Sequence, residues 1–368
     1  MSSQHSVSIR STSRAMTAFS KLTPIKRFIM ETTFVNRQNT QPAKPAITAS
    51  LAPMAGFTDC VFRRICANFG AAYTVSEMIS AMAMVMGDRK TAEIAEITEG
   101  EAPVVLQLFG HDPEMVAKAA AMLLDGNFDG CRYAAPPAGI DLNMGCPVKK
   151  IVTNGEGSAL MKNVDLARRI TSAAAEVCEK RGVPLSVKFR LGWDESSINA
   201  PEFAVAIAQS GAKKITLHTR TREQMYAPSA DPARAADVYA ALAEAGFTDK
   251  VTLVGNGDID GYDSAAAYLA NGCAEIAVGR AALGNPWIFA ELCDPLHFVK
   301  PTIVEIIDQV IGFVHGVVEL KGEEVGIRES RGRAAHFIKG LRGSASVRDR
   351  LNHACTLKEF EAILRDIG

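Results

Sequence analysis

The sequence predicts a (β/α)8 TIM barrel carrying a smaller C-terminal all-helical region, and three observations lead there. From Ile47 onward short β-like runs alternate with helical stretches. Eight such units fit into roughly 250 residues, the size and rhythm of a closed barrel. Past Pro301 the strand signals stop and only helical patterning continues. The organisation is therefore a basic tail over 1–46, a barrel over 47–292, the linker Cys293–Pro301, and a helical domain over 302–368.

The expected strands are Thr48–Pro53, Tyr73–Ser76, Val104–Phe109, Ile140–Asn143, Leu185–Phe189, Ile215–His218, Val251–Asn256 and Glu275–Val278. Helical patterns fall between them, at Asp59–Phe69, Pro113–Leu124, Val164–Lys180, Glu202–Gln209 and Arg234–Ala245. The stretch Asn127–Gly139 is long for a connection before a barrel strand and reads as a surface insertion, with Cys131 in it not catalytic. A doubly wound sheet is the runner-up. Neither Gly155-Glu156-Gly157 nor Gly255-Asn256-Gly257 completes G-x-G-x-x-G, because Leu160 and Asp260 take the third place, so a Rossmann dinucleotide fold is not supported.

Composition sets outer limits. With 48% hydrophobic and 22% charged residues the chain is globular material, and no apolar run reaches membrane-span length. The eight cysteines form no C-x-x-C pair and no cluster with histidine, which argues against a zinc or iron–sulfur site. A reduced, cytoplasmic, monomeric protein is expected. The net charge of −1 conceals a basic start: residues 1–50 carry seven Lys/Arg against one Glu. That segment reads as a solvated tail, with a targeting segment or an RNA-touching arm as alternatives.

The stretch with most chemistry is Asp141–Met161, DLNMGCPVKKIVTNGEGSALM. Alternation puts Asp141 and Asn143 on one side of a short strand. Cys146 follows just beyond its carboxyl end, where α/β barrels keep their active sites. Most cysteines are core fillers. Here Pro147 ends the strand, Gly145, Gly155 and Gly157 permit close backbone approach, and Lys149-Lys150 make the loop electropositive. Cys146 is thus the candidate catalytic residue.

Gln107, Lys188, His218 and Asn256 each stand near the carboxyl end of an apolar strand, and polar groups there need partners. Lys188 shares its strand side with Ser186 and Arg190, so a cation faces the centre and calls for an anion. Gly255-Asn256-Gly257-Asp258 after the seventh strand and Gly279-Arg280 after the eighth occupy the two loops where many barrels bind phosphate. In the helical region, Gly326–Arg350 holds seven Lys/Arg against two acids. On a continuous helix Arg328, Arg331, Lys339 and Arg342 would share one side, a candidate polyanion-binding stripe.

Taken in order, LAPMAGFTD (51–59), DLNMGCP (141–147), VKFRLGWD (187–194), LHTRTREQMY (217–226), NGDI (256–259) and VGRAALGNPWIF (278–289) resemble the successive signatures of the tRNA-dihydrouridine synthases. The resemblance implies an FMN-dependent oxidoreductase, recharged by NADPH or NADH, that reduces the C5–C6 bond of specific tRNA uridines. It implies that Pro53, Met54, Ala55 and Gln107 contact the flavin ring, that Lys188 lies near its N1/O2 edge, and that His218 lies close by. By the same resemblance Asn256, Gly257, Asp258, Gly279 and Arg280 hold the FMN phosphate, Cys146 donates a proton, and Asn143 orients the uracil. The C-terminal helices, with Arg331, Lys339 and Arg342, would hold the tRNA; no metal is implied. Two other readings keep parts of this: an FMN barrel acting on a small molecule, which leaves the basic helical domain without work, and an RNA-binding scaffold with an inactive barrel, which leaves Cys146 and Lys188 without work.

Overall fold

Eight parallel strands close into a barrel in strict sequence order, β1 pairing with both β2 and β8. They are β1 Ala49–Leu51, β2 Thr74–Ser80, β3 Val104–Phe109, β4 Gly139–Met144, β5 Leu185–Arg190, β6 Lys214–His218, β7 Thr252–Asn256 and β8 Glu275–Val278. This computed structural model describes residues 44–101 and 103–367. The expected tail over 1–46 therefore lies almost wholly outside the described residues.

The period-two pattern explains the barrel's two faces. On β3 Val104, Leu106 and Leu108 are buried among the apolar core, while Gln107 faces its polar neighbours inside. On β5 Val187 and Phe189 pack outward, the Phe189 ring meeting Phe203 of the helix Ala200–Gln209 edge-on at 4.9 Å. Deleting either ring would cost about 3–5 kcal/mol. The interior holds Ser50, Gln107, Asp141, Thr216 and Asn256, a polar filling that has to be hydrogen-bonded.

Helix starts follow capping chemistry. Asp59 caps Cys60–Asn68 by accepting from the Phe62 N–H, and Asp112 with Pro113 starts Pro113–Asp125, which stops at left-handed Gly126. Two expected strands differ by more than one residue at an end. β1 is shorter than Thr48–Pro53, since Pro53 has no N–H to give the ladder. β2 runs on past Ser76 to Ser80 because a bulge between Val75 and Met78 breaks the alternation and then resumes pairing with β3.

The insertion Asn127–Gly139 lies at the amino-terminal end of the strands, where Tyr133 bridges Ile97 and Ala138 N–H donates to Val104 C=O. Cys131 thus sits on the face opposite Cys146.

The helical region comprises Ile303–Lys321, Glu323–Phe337, Ser344–His353 and Leu357–Arg365. It packs on the β1 side of the barrel. Gly316 fits against Val61, where a Cβ would meet Val61 Cγ1 at 2.9 Å. Arg333 forms a bidentate pair with Asp59 and donates to Phe57 C=O at 2.8 Å. From Pro45 onward the described chain is one compact unit. The continuous helix expected through Gly343 ends at Phe337, with Gly340 (φ +89°) and Gly343 (φ +80°) in the turn that follows. Arg331, Lys339 and Arg342 therefore do not share one helix face. Among the described residues, no helix is long and apolar enough to cross a membrane.

Candidate active site

Pairing of β3, β4 and β5 sets Gln107 beside Asp141 and Asp141 beside Ser186. Gln107 Nε2 donates to Asp141 Oδ2 at 2.7 Å, and Ser186 Oγ donates to Asp141 Oδ1 at 2.5 Å. Burial raises the Asp141 pKa, while these two hydrogen bonds and the Lys188 and Lys214 cations oppose it. Because the Gln107 amide nitrogen is committed to that carboxylate, its Oε1 is left to accept from Asn143 Nδ2 at 2.9 Å. Asn143 Oδ1 is then free to accept from the backbone N–H of Cys146 at 2.9 Å and of Gly145 at 3.2 Å. Donor–acceptor logic thus runs unbroken from Asp141 to Cys146.

Behind Cys146 the loop folds back. Ser158 donates to the Cys146 carbonyl from both N–H (3.1 Å) and Oγ (3.0 Å). Gly157 (φ +59°) comes so near that a Cβ would lie 2.8 Å from that same oxygen, so only glycine fits. Arg190 ties down the front, donating from Nε to Gly145 C=O at 2.8 Å and from NH1 to Thr221 and Met225 C=O. Burial raises the Cys146 thiol pKa, against the Val148 N–H and the Arg190 and Lys188 charges. The thiol is accordingly held protonated at neutral pH, suiting a proton donor better than a nucleophile.

The second half of the site is cationic. Lys188 Nζ donates to Asn256 Oδ1 at 2.8 Å, and Asn256 Nδ2 donates to Ala277 C=O at 2.7 Å. Burial and Arg190 pull the Lys188 pKa down to about 8, which identifies a cation short of counter-charge. His218 is pushed well below its ordinary range by burial and by Lys188, Arg190, Arg220 and Arg280. Its Nε2 lies 3.2 Å from Arg220 NH1, and since a guanidinium only donates, Nε2 accepts and Nδ1 carries the hydrogen. Asp258 receives Arg220, Arg280 (2.7 Å) and Ala230 N–H (3.0 Å). Against partial burial, the Arg220 hydrogen bond, the Ala230 N–H and the Arg220 and Arg280 charges hold its pKa down.

The β7 and β8 loops are shaped for backbone approach. Gly257 (φ +129°) has no room for a side chain, a Cβ there meeting Ala230 Cβ at 2.7 Å. Gly279 is open, its nearest neighbour to a Cβ being Met54 Sδ at 4.0 Å. Met54 belongs to the tight turn after β1, closed by Phe57 N–H and Thr58 N–H to Met54 C=O.

The sequence profile of the dihydrouridine synthases matches residues 50–367. The chain belongs to the dihydrouridine synthase family. Among curated relatives, a probable tRNA-dihydrouridine synthase of Rhodobacter capsulatus is 38% identical over 290 residues, covering 76% of this chain and 83% of its own length. One from Rickettsia bellii is 35% identical over 311 residues, 82% of this chain and 89% of its own. The tRNA-dihydrouridine synthase B of Xanthomonas campestris pv. campestris is 34% identical over 321 residues, 86% and 91% respectively.

As a dihydrouridine synthase the protein is an oxidoreductase, and its fold gathers Cys146, Asn143, Gln107, Lys188, His218, Asn256, Gly257, Asp258, Gly279 and Arg280 at the carboxyl ends of the strands. Pro53, Met54 and Ala55 join them through the β1 turn. The remaining three basic residues are elsewhere: Arg331 is committed to Ala354 C=O at 2.8 Å, while Lys339 and Arg342 are exposed in the turn after the helix. That turn is next to the β8 loop, since Gly284 abuts the backbone of His336. Arg220 and Asp141 were not assigned a role from sequence. For Asp141 a signal was available, since it stands two before Asn143 and strand alternation puts the two on one side; Arg220 lies past the end of β6, in a turn where its N–H donates to His218 C=O at 2.7 Å, and alternation does not reach it. Among the described residues there is no group of three or more His, Cys, Asp or Glu that could hold a metal ion.

Proposed function

We propose that the protein reduces specific uridines of tRNA to dihydrouridine, with FMN held non-covalently in the barrel mouth and NADPH or NADH as reductant. The arrangement that carries this reading is a protonated thiol, Cys146, fixed at the same barrel mouth as an under-neutralised cation, Lys188. The mouth fits FMN in two respects. Gly257 and Gly279, in the loops after β7 and β8, carry no side chain of their own to keep a phosphate from the backbone, and Arg280 stands alongside. Lys188 and Nδ1–H of His218 suit an electron-rich ring edge. The Asp258 carboxylate would repel a phosphate, so its side chain serves by aiming Arg220 and Arg280.

When bound, FMN would supply the hydride that saturates C6 of uracil. Cys146 then gives its proton to C5, and Asn143, with Gln107, keeps Cys146 and the base in register. Pro53, Met54 and Ala55 shape the ring-side wall. A uridine has to leave its stack to enter such a mouth. The exposed Lys339 and Arg342 beside the β8 loop are placed to grip the phosphates around it. Eight free cysteines accord with a reducing cytoplasm.

Anaerobic mixing of the reduced holoprotein with unmodified tRNA tests the reading. Bleached flavin should recover its oxidised absorbance only with tRNA, and dihydrouridine should appear in the RNA. Recovery with free uracil or a small enone, and none with tRNA, would overturn it.

A further inference from the structure

Glu156 is 8% exposed, and among the described residues its carboxylate has one side-chain partner, Nδ1 of the exposed His111 at 3.3 Å, from the loop after β3. A carboxylate this buried with one hydrogen-bond partner is held there at a cost to stability, so what the contact positions matters. What it adjoins is the backing of Cys146. Glu156 immediately precedes Gly157, whose missing side chain lets the chain touch Cys146, and Ser158, which donates twice to the Cys146 carbonyl. The other side of the same residue, its N–H, is held by Asn143, which Gln107 of β3 orients.

We propose that the His111–Glu156 pair is a clasp that positions Cys146, so that β3 and its loop grip the cysteine from both sides: Gln107 through Asn143 at its N–H, and His111 through Glu156–Ser158 at its carbonyl. His111 and Glu156 are positioning residues, not catalytic ones. Opening the clasp lets segment 156–158 withdraw, the thiol loses its backing and gains solvent access, and proton delivery slows while tRNA still binds. The role in catalysis rests on Cys146 being the proton donor; the clasp itself does not.

The test separates the two. Site-resolved mass spectrometry follows iodoacetamide alkylation of Cys146 in the holoprotein, with the buried Cys66 and Cys178 as internal controls for global opening. His111→Ala and Glu156→Ala should each speed alkylation of Cys146 about fivefold, as for loss of one partly buried pair, without exposing the controls. The double variant should add nothing further, and His111→Gln, which keeps a donor for Glu156, should restore the slow rate. Steady-state kinetics with tRNA should then show kcat reduced by a similar factor and KM unchanged. Unchanged alkylation in both single variants would overturn the clasp. Faster alkylation with undiminished tRNA turnover would overturn the clasp's part in catalysis, whereas Cys146 as the donor falls only if Cys146→Ala turns over tRNA at the wild-type rate.

Discussion

Asn143 holds Cys146 by accepting its backbone N–H at 2.9 Å, and it can do so only because Gln107 occupies the other end of the Asn143 amide. Asn143→Asp keeps the acceptor but turns the Gln107 Oε1 contact from donor–acceptor into acceptor–acceptor, close to the buried Asp141. Leaving one buried acceptor unpaired costs about 1–3 kcal/mol. We expect kcat/KM to fall by more than tenfold, with Asn143→Ser less harmful. Steady-state kinetics on tRNA decides.

Cys146→Ala should leave FMN reduction by NADPH near normal and slow flavin reoxidation by tRNA by roughly 10²–10⁴-fold. As the proposed acid, Cys146 acts when protonated, and burial raises its pKa. Reoxidation should therefore be flat on the acid side and decline only at a pH above the ordinary thiol value of about 8.5. A rapid-mixing pH series with wild type and Cys146→Ser checks the limb, which the serine variant should lack.

Lys188 has its pKa lowered to about 8, and an anionic ligand restores charge to it. Binding FMN above that pH must take up a proton, so affinity should weaken as pH rises from 7 to 9. Lys188→Met should remove this slope and weaken FMN by about tenfold. Calorimetry in two buffers of different ionisation enthalpy counts the proton.

Asp59 is drawn below its ordinary pKa: burial opposes ionisation, but the Arg333 hydrogen bond and charge outweigh it. A depressed folded-state pKa contributes stability above the unfolded value, about 4, that is lost as pH falls through the folded one. Arg333→Ala should cost about 3–5 kcal/mol at neutral pH, because it strands a buried carboxylate. Its deficit should narrow on acidification below pH 4, as read by urea unfolding.

Lys339→Glu with Arg342→Glu should weaken tRNA binding and lower the slope of log K against log salt by about 0.7–0.9 for each phosphate left without its cation. Arg331→Ala should instead lower Tm with little change in that slope, since its guanidinium braces Ala354. Filter binding over a salt series distinguishes them.

Local signals determined much of this protein. Strand alternation, glycine-marked loops and caps were enough for eight βα units, because a closed barrel repeats one short-range rule and joins neighbours in chain order. They were also enough to place Lys188 and His218 near the carboxyl ends of their strands and Cys146 just beyond the end of β4, all at one end of the barrel. Tertiary structure decided what depends on pairing across strands. That Asp141 fixes Gln107, Gln107 fixes Asn143 and Asn143 fixes Cys146 follows from the register of β3 on β4, which one strand's sequence does not contain. That Asp258 steers two arginines, and that Arg331 braces a turn while Lys339 stays exposed, depended on where a helix stops and which distant backbone it meets. A charge in sequence has a sign; its partner is chosen only when chains remote in sequence are packed together.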